Sequence, residues 1–141
     1  IPFDNEFDVI GAFDVLEHIE EDSKVLSQMF HAVSPGGGVI ITVPQHHFLW
    51  RQQDEYACHV RRYEAQELQD KVEKAGFQVE SATSFVSLLL PLMFMSRLSK
   101  RKRVENYAST QEFRISPLAN MILESVLDLE RMMIRGGIKD R

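Results

Sequence analysis

Apolar positions change their period twice within the first eighty residues, and those changes define the elements. Phe7, Val9 and Ile10 form a compact apolar run entered through the acidic, turn-like residues 4–6, which reads as a buried strand. Val25, Leu26, Met29, Phe30 and Val33 then recur at helical spacing. Asp22 stands where an N-cap belongs, and Pro35 with Gly36, Gly37 and Gly38 reads as the turn that stops the helix. The run VIITVP follows at 39–44, β-branched and without polar alternation, the pattern of a strand covered on both faces. Strand, helix, strand makes a βαβ unit, with parallel strands and a right-handed crossover.

From 45 to 62 the sequence turns polar and aromatic without a sustained period, which predicts a long loop with room for one helical turn. Ala65, Leu68, Val72 and Ala75 restore the helical stripe, and Gly76 is placed as the left-handed residue that ends it. FQVESATSF at 77–85 predicts a third strand, so the class is α/β. Beyond Phe85 an apolar run broken by Pro91 leads into Arg97, Lys100, Arg101, Lys102 and Arg103. It falls short of the roughly 20 residues that span a bilayer. Ser116 and Pro117 open a last helix, apolar around much of its circumference, that Gly136 and Gly137 end. The expected organisation is one domain in two parts, 1–84 carrying the α/β unit and 85–141 an apolar and basic lid segment with a C-terminal helix.

The totals narrow the partners. A chain of 141 residues, 44% hydrophobic, suits a single packed domain. A net charge of −5 argues against wrapping of nucleic acid. The lone Cys58 cannot form an internal disulfide, and no export-type start is visible, so the expected location is cytoplasmic, with peripheral membrane contact through 85–103 left open for the enzyme too. The chain opens on Ile1 rather than Met, which suggests a fragment or a processed product.

Taken in order, FDVIGAFDVLEHI at 7–19, the first helix, SPGGGVIITVP at 34–44, DEYACHVRRY at 54–63 and AGFQVESATSF at 75–85 resemble the C-terminal half of a class I S-adenosylmethionine-dependent methyltransferase. The small-molecule group that includes the ubiquinone-biosynthesis type is the nearest in flavour, and the resemblance runs from about Phe7 to Leu98. It implies a partial Rossmann-like sheet, strands four to six of seven, with a helical lid and the C-terminal helix. It also implies the cofactor S-adenosylmethionine and a small-molecule or lipid methyl acceptor. Such enzymes hold the methionine end of the cofactor on a glycine-rich turn after their first strand. No such turn occurs here, because Gly36, Gly37 and Gly38 precede a strand instead of following one. The expectation is therefore an internal fragment of a longer enzyme.

The resemblance places the cofactor against Ala12, Phe13 and Asp14, with the Phe13 ring beside the sulfonium, where an aromatic face favours a cation by about 0.5–2 kcal/mol. Gly11 suits a strand end that a ligand approaches closely. His18 and His59 are the candidate bases for an acceptor that must lose a proton, and Arg61 and Tyr63 are candidate groups for orienting it. For Arg61 and Arg62 a structural, helix-entry role is the favoured alternative. Spacings of three and four residues put Asp14, Glu17 and His18 on one side of a helical turn. Some relatives hold a divalent metal on such a stretch, and His46, His47 or His59 could complete the shell. The favoured alternative is that the acids charge and cap the helix entry, so no metal site is assigned. A reading from another class remains beside the enzyme: a non-catalytic, membrane-associating module using 85–103, whose apolar run and basic cluster are what a surface anchor requires.

Overall fold

A computed structural model of the chain describes residues 2–98 and 116–136. They fall into two compact units, Ile1–Ala82 and Thr83–Arg141.

The first unit is built on the βαβ core. Strand β1, Phe7–Phe13, leads through a single tight turn at Leu16–His18 into helix α1, Asp22–Ala32. Strand β2, Val33–Thr42, returns parallel to β1. Asp22 is not the cap expected of it. Glu21 occupies the N-cap position without a side-chain bond, and Asp22 lies inside the first turn with its carboxylate in the core. The glycines also depart from expectation. The helix stops at Ala32 because Val33 is already extended, and Gly36, Gly37 and Gly38 belong to β2. Phe7 pairs with Val33 and Val9 with Gly38, so residues 34–37 form a wide bulge in β2. A Cβ on Gly37 would stand 2.5 Å from the Asp8 carbonyl oxygen, and Gly36 has φ +85°, so the bulge needs glycine at both places.

The register sorts the sheet into two faces. Ile10, Ala12, Val39 and Ile41 point to one side, where Leu16, Leu26, Met29, Tyr63 and Val72 complete the core. Phe7, Val9, Gly11 and Phe13 share the other side with Ile40. Val9 and Phe13 are each 60% exposed there, and Ile40 55%. The expectation of strands covered on both faces thus holds for one face only among the described residues.

Residues 45–63 make the long loop. It holds a tight turn at His47–Leu49 and a short helix α2, Gln52–Tyr56, then returns beside the end of β2, where the His46 amide donates to the Tyr63 carbonyl and the Tyr63 amide to that of Pro44. Helix α3, Ala65–Lys74, packs Leu68, Val72 and the following Ala75 on the core. Gly76 follows with φ +112°, as the left-handed ending requires, and leaves room for the Phe30 ring, which a Cβ there would meet at 2.8 Å. The predicted third strand is absent among the described residues. Phe77 and Val79 pack against the core, but the segment 77–84 finds no ladder partner, and extended chain without one is not a strand.

The second unit contains a turn at Ser87–Leu89, helix α4, Leu90–Leu98, and helix α5, Pro117–Arg135. Ser116 caps α5, its hydroxyl accepting from the Ala119 amide at 3.2 Å, with Pro117 at the first helical position. Gly136 ends it. Glu130 is buried and accepts from the Ser87 amide, tying the two helical segments together. The basic residues 100–103 and Gly137, singled out in the sequence, lie outside the described residues. Among those described, no helix is long and apolar enough to cross a membrane.

Candidate functional site

Parallel strands deliver their C-terminal ends to one edge, which is where ligands bind in open α/β sheets. At that edge β1 ends on Phe13 and β2 on Thr42. The Asp14 amide donates to the Thr42 carbonyl at 3.0 Å, and Asp14 takes φ +51°, turning the chain sharply out of the strand. Ala12 is buried, while the Phe13 ring is exposed and folded back along the strand. A Cβ on Gly11 would lie 2.8 Å from that ring, so the glycine is what lets Phe13 lie flat. The residues expected to meet the cofactor are therefore one buried anchor, an open aromatic face and an outward acid. That arrangement leaves backbone and a π surface free at the strand end and fits a sulfonium ligand. A cavity of about 350 Å³ lies at the opposite end of the sheet, between Phe30, Phe77 and the bulge, away from these residues.

The acids and histidines regroup relative to expectation. Asp14 precedes the turn and is exposed, and its carboxylate accepts from the Thr42 hydroxyl at 3.4 Å. Glu17 and His18 lie within the turn itself, and the Val60 amide donates to the Glu17 carbonyl at 2.8 Å, pinning the returning loop there. This contact brings His59 against His18, ring centroids 4.7 Å apart and edge to face. One carboxylate oxygen of Glu17 and one nitrogen of each imidazole lie within 4.8 Å of one another. His46 and His47 pair with Glu64 and Glu67 at 3.4 Å each, so of the three later histidines only His59 joins the group.

Glu17 is the least ordinary member. It is fully buried, and neither carboxylate oxygen has a hydrogen-bond partner among the described residues. Burial pushes its carboxyl above the usual range; its own backbone amide, His18 and His59 oppose that only in part, and Asp14 adds to it. A buried acceptor left without a partner costs stability, about 1–3 kcal/mol in general, so the position invites a proton or a cation. The donor set of one carboxylate and two imidazoles would also suit an imidazole-accepting divalent ion. Glu17, His18 and His59 are the residues that would hold it.

Two carboxylates that the sequence did not single out for this region organise it. Asp54, 1% exposed, receives Arg62 through Nε at 2.8 Å and Nη2 at 3.1 Å, the Arg51 amide at 2.8 Å and the His59 ring Nδ1 at 3.0 Å. Burial pushes its carboxyl up, but Arg62, the Arg51 amide and His59 together draw it below the usual range. Asp22 receives Arg61 at 2.9 Å, the Tyr63 hydroxyl at 2.8 Å and Lys71. Burial again opposes, and Lys71, Tyr63 and the Ser23 amide more than offset it, so this carboxyl too is lowered.

These partners change the reading of two candidates. Tyr63, expected to orient substrate, is 1% exposed, and its hydroxyl is shared between Asp22 and the Leu16 carbonyl, so it packs the core and its ionisation is pushed well up by burial and by Asp22. Arg61 spends its guanidinium on Asp22 and the Glu20 carbonyl, the structural alternative foreseen for it. A signal for Asp54 was present in the sequence: its position three residues after Arg51 lets an acid bond back to the amide that starts a short helix, with His59 five residues on.

A family model described as a methyltransferase domain matches residues 2–82. Phosphoethanolamine N-methyltransferase 2 of Caenorhabditis elegans is 31% identical over 118 residues, covering 71% of this chain and 27% of that protein. A Mycolicibacterium smegmatis protein described as "Probable S-adenosylmethionine-dependent methyltransferase" is 32% identical over 79 residues, 55% of this chain and 31% of its own. Among solved structures, Haemonchus contortus phosphoethanolamine N-methyltransferase 2 in complex with S-adenosyl-L-methionine aligns with a TM-score of 0.47 at 20% identity, over 94% of this chain and 31% of that one. The chain spans less than a third of the length of these relatives.

Proposed function

Since the chain belongs to the class I S-adenosylmethionine-dependent methyltransferase family, by a match covering 2–82, we propose that it is the C-terminal half of such an enzyme's domain, acting on a small or lipophilic molecule. The observation that carries this reading is the meeting of Glu17, His18 and His59 at the turn that follows β1, the strand that ends on the exposed Phe13. The cofactor, when bound, supplies a methyl group on a cationic sulfur.

The chain's own part is positional and acid–base. Ala12 and Phe13 present backbone and aromatic face to the cofactor. Much of the acceleration in a methyl transfer comes from holding acceptor and methyl group in line. An acceptor that must lose a proton gives it to His59 or His18, and Glu17 beside them keeps a place for that charge. Asp22 and Tyr63 act behind this edge, fixing α1, α3 and the returning loop. The activity named for one relative, phosphoethanolamine N-methylation, uses a small polar acceptor of the kind this reading allows.

The glycine-rich cofactor turn is expected in polypeptide preceding these residues in the whole enzyme. Labelled methyl transfer from S-adenosylmethionine to a panel of amines, phenols and phosphobases is the test. A protein carrying this chain together with such a turn should transfer label, and the 141 residues alone should not. Robust turnover by the 141 residues alone would refute the partial-enzyme reading, and no turnover by the longer protein on any acceptor would refute the activity.

A further inference from the structure

We propose that Asp54 is the positioning residue of the site: it holds the neutral His59 imidazole in the tautomer protonated at Nδ1, which leaves Nε2 bare to accept a proton. The proposal deepens the methyltransferase reading and rests on it for the role of His59 as a base.

The geometry leaves one arrangement of protons. Asp54 is buried and both of its oxygens are occupied: Oδ1 by Arg62 Nε at 2.8 Å and His59 Nδ1 at 3.0 Å, Oδ2 by the Arg51 amide at 2.8 Å and Arg62 Nη2 at 3.1 Å. A carboxylate bound by a guanidinium through both oxygens is ionised, and an ionised carboxylate only accepts. The fourth partner, His59 Nδ1, must therefore donate. A neutral imidazole carries one ring proton, so Nε2 is then bare. The histidine is also held by its backbone, since its amide donates to the Asp54 carbonyl at 2.9 Å. Two bonds from one residue fix both main chain and ring. Arg62 holds Asp54 in turn and reaches the Gln45 carbonyl at 3.1 Å, fastening the pair to the end of β2.

A carboxylate behind a histidine is the arrangement by which a base is kept in the correct tautomer, and replacing such an acid by its amide produces the wrong one. In Asp54→Asn, the amide oxygen keeps the Oδ2 place, where the Arg51 amide and Arg62 Nη2 both donate, and the new N–H₂ takes the Oδ1 place, giving up the bond from Arg62 Nε and facing His59 Nδ1. The ring must then accept at Nδ1 and carry its proton on Nε2, facing the wrong way for a base.

The tautomer is read directly by imidazole ¹⁵N NMR on the labelled 141-residue chain, at a pH above the ordinary imidazole range of about 6.5. In the wild type the His59 Nδ1 signal is expected in the protonated range and Nε2 in the unprotonated range. Asp54→Asn should exchange the two. Arg62→Gln removes a structural partner of Asp54 but not its bond to His59, and should leave the tautomer unchanged. A wild-type His59 protonated at Nε2, or divided between tautomers, would overturn the proposal even if Asp54→Asn failed to fold. So would an Arg62→Gln variant that shifts the tautomer as fully as Asp54→Asn, because the effect would then be one of general loosening. In the whole enzyme Asp54→Asn should lower kcat by about 10²–10⁴ with little change in KM. A correct tautomer in a protein without methyl transfer would sink the functional reading and leave the positioning role standing.

Discussion

Replacing Asp22 by alanine is expected to destabilise the first unit by about 3–5 kcal/mol, the usual cost of removing one partner from a buried ionic cluster. Asp22 is 3% exposed, and a single oxygen, Oδ2, gathers Arg61, Tyr63 and Lys71. Those donors come from the returning loop and from α3, while Asp22 itself opens α1, so one carboxylate joins three elements. Lys71 and Arg61 keep only 20% and 26% of their side-chain surface, and without Asp22 their charges would be left largely desolvated. Asn at the same place keeps one acceptor and should cost less. Denaturant unfolding of the two variants checks both magnitudes.

Acid should act through the same residue. The carboxyls of Asp22 and Asp54 lie below their ordinary value of 3.8 in the folded chain, so the unfolded chain takes up protons first as pH falls. Their contribution to stability is complete above about pH 4 and is lost as pH falls through the folded values. Glu17 has the opposite sign: its raised carboxyl favours the folded state below the ordinary value of 4.5 and loses that advantage as pH rises through the folded value. The stability gap between wild type and Asp22→Ala should therefore narrow below about pH 4, whatever Glu17 contributes, because both proteins share Glu17.

His59→Ala should reduce kcat of the whole enzyme by about 10²–10⁴, the range for loss of a positioned acid–base group. The ring is largely enclosed, 17% of its side chain exposed, yet it stands within 4.8 Å of Glu17 and His18. Its removal also frees only one of the four bonds to Asp54, so folding should be affected far less than by Asp22→Ala. The expected signature is a fall in kcat at nearly constant KM and nearly constant stability. An equal loss in stability would mean that His59 serves the fold, and a purely KM effect would mean that it binds acceptor without taking its proton. A single acceptor assayed across pH separates these outcomes.

The parts of the fold that were legible in the sequence are those set by local period. The β-branched run at 39–42 and the stripe of Val25, Leu26 and Met29 specify a parallel βαβ unit, and Gly76 and Ser116 mark helix ends by chemistry that needs no tertiary information. Long-range pairing decided what was missed. The glycine run reads as a helix stop, but its φ values and the close approach of Asp8 make it a bulge, which depends on a neighbouring strand. The segment 77–85 has a strand's composition and finds no ladder partner among the described residues. At the site, His18, Glu17 and His59 were recognisable as chemistry-bearing types, whereas their grouping rests on the Val60 amide finding the Glu17 carbonyl. Asp22 reads as a helix cap and Asp54 as an ordinary loop acid until burial and three or four donors each show otherwise.

The proposed role of the end of β1 is that of the cofactor-facing edge. It is tested most directly by titrating the labelled chain with S-adenosylmethionine and following backbone amide signals. The expected result is a set of shifts centred on Ala12, Phe13 and Asp14, with weak affinity near 1 mM, about −4.1 kcal/mol, and a further weakening in Phe13→Ala. Tight stoichiometric binding, or shifts confined to residues away from this strand end, would contradict it.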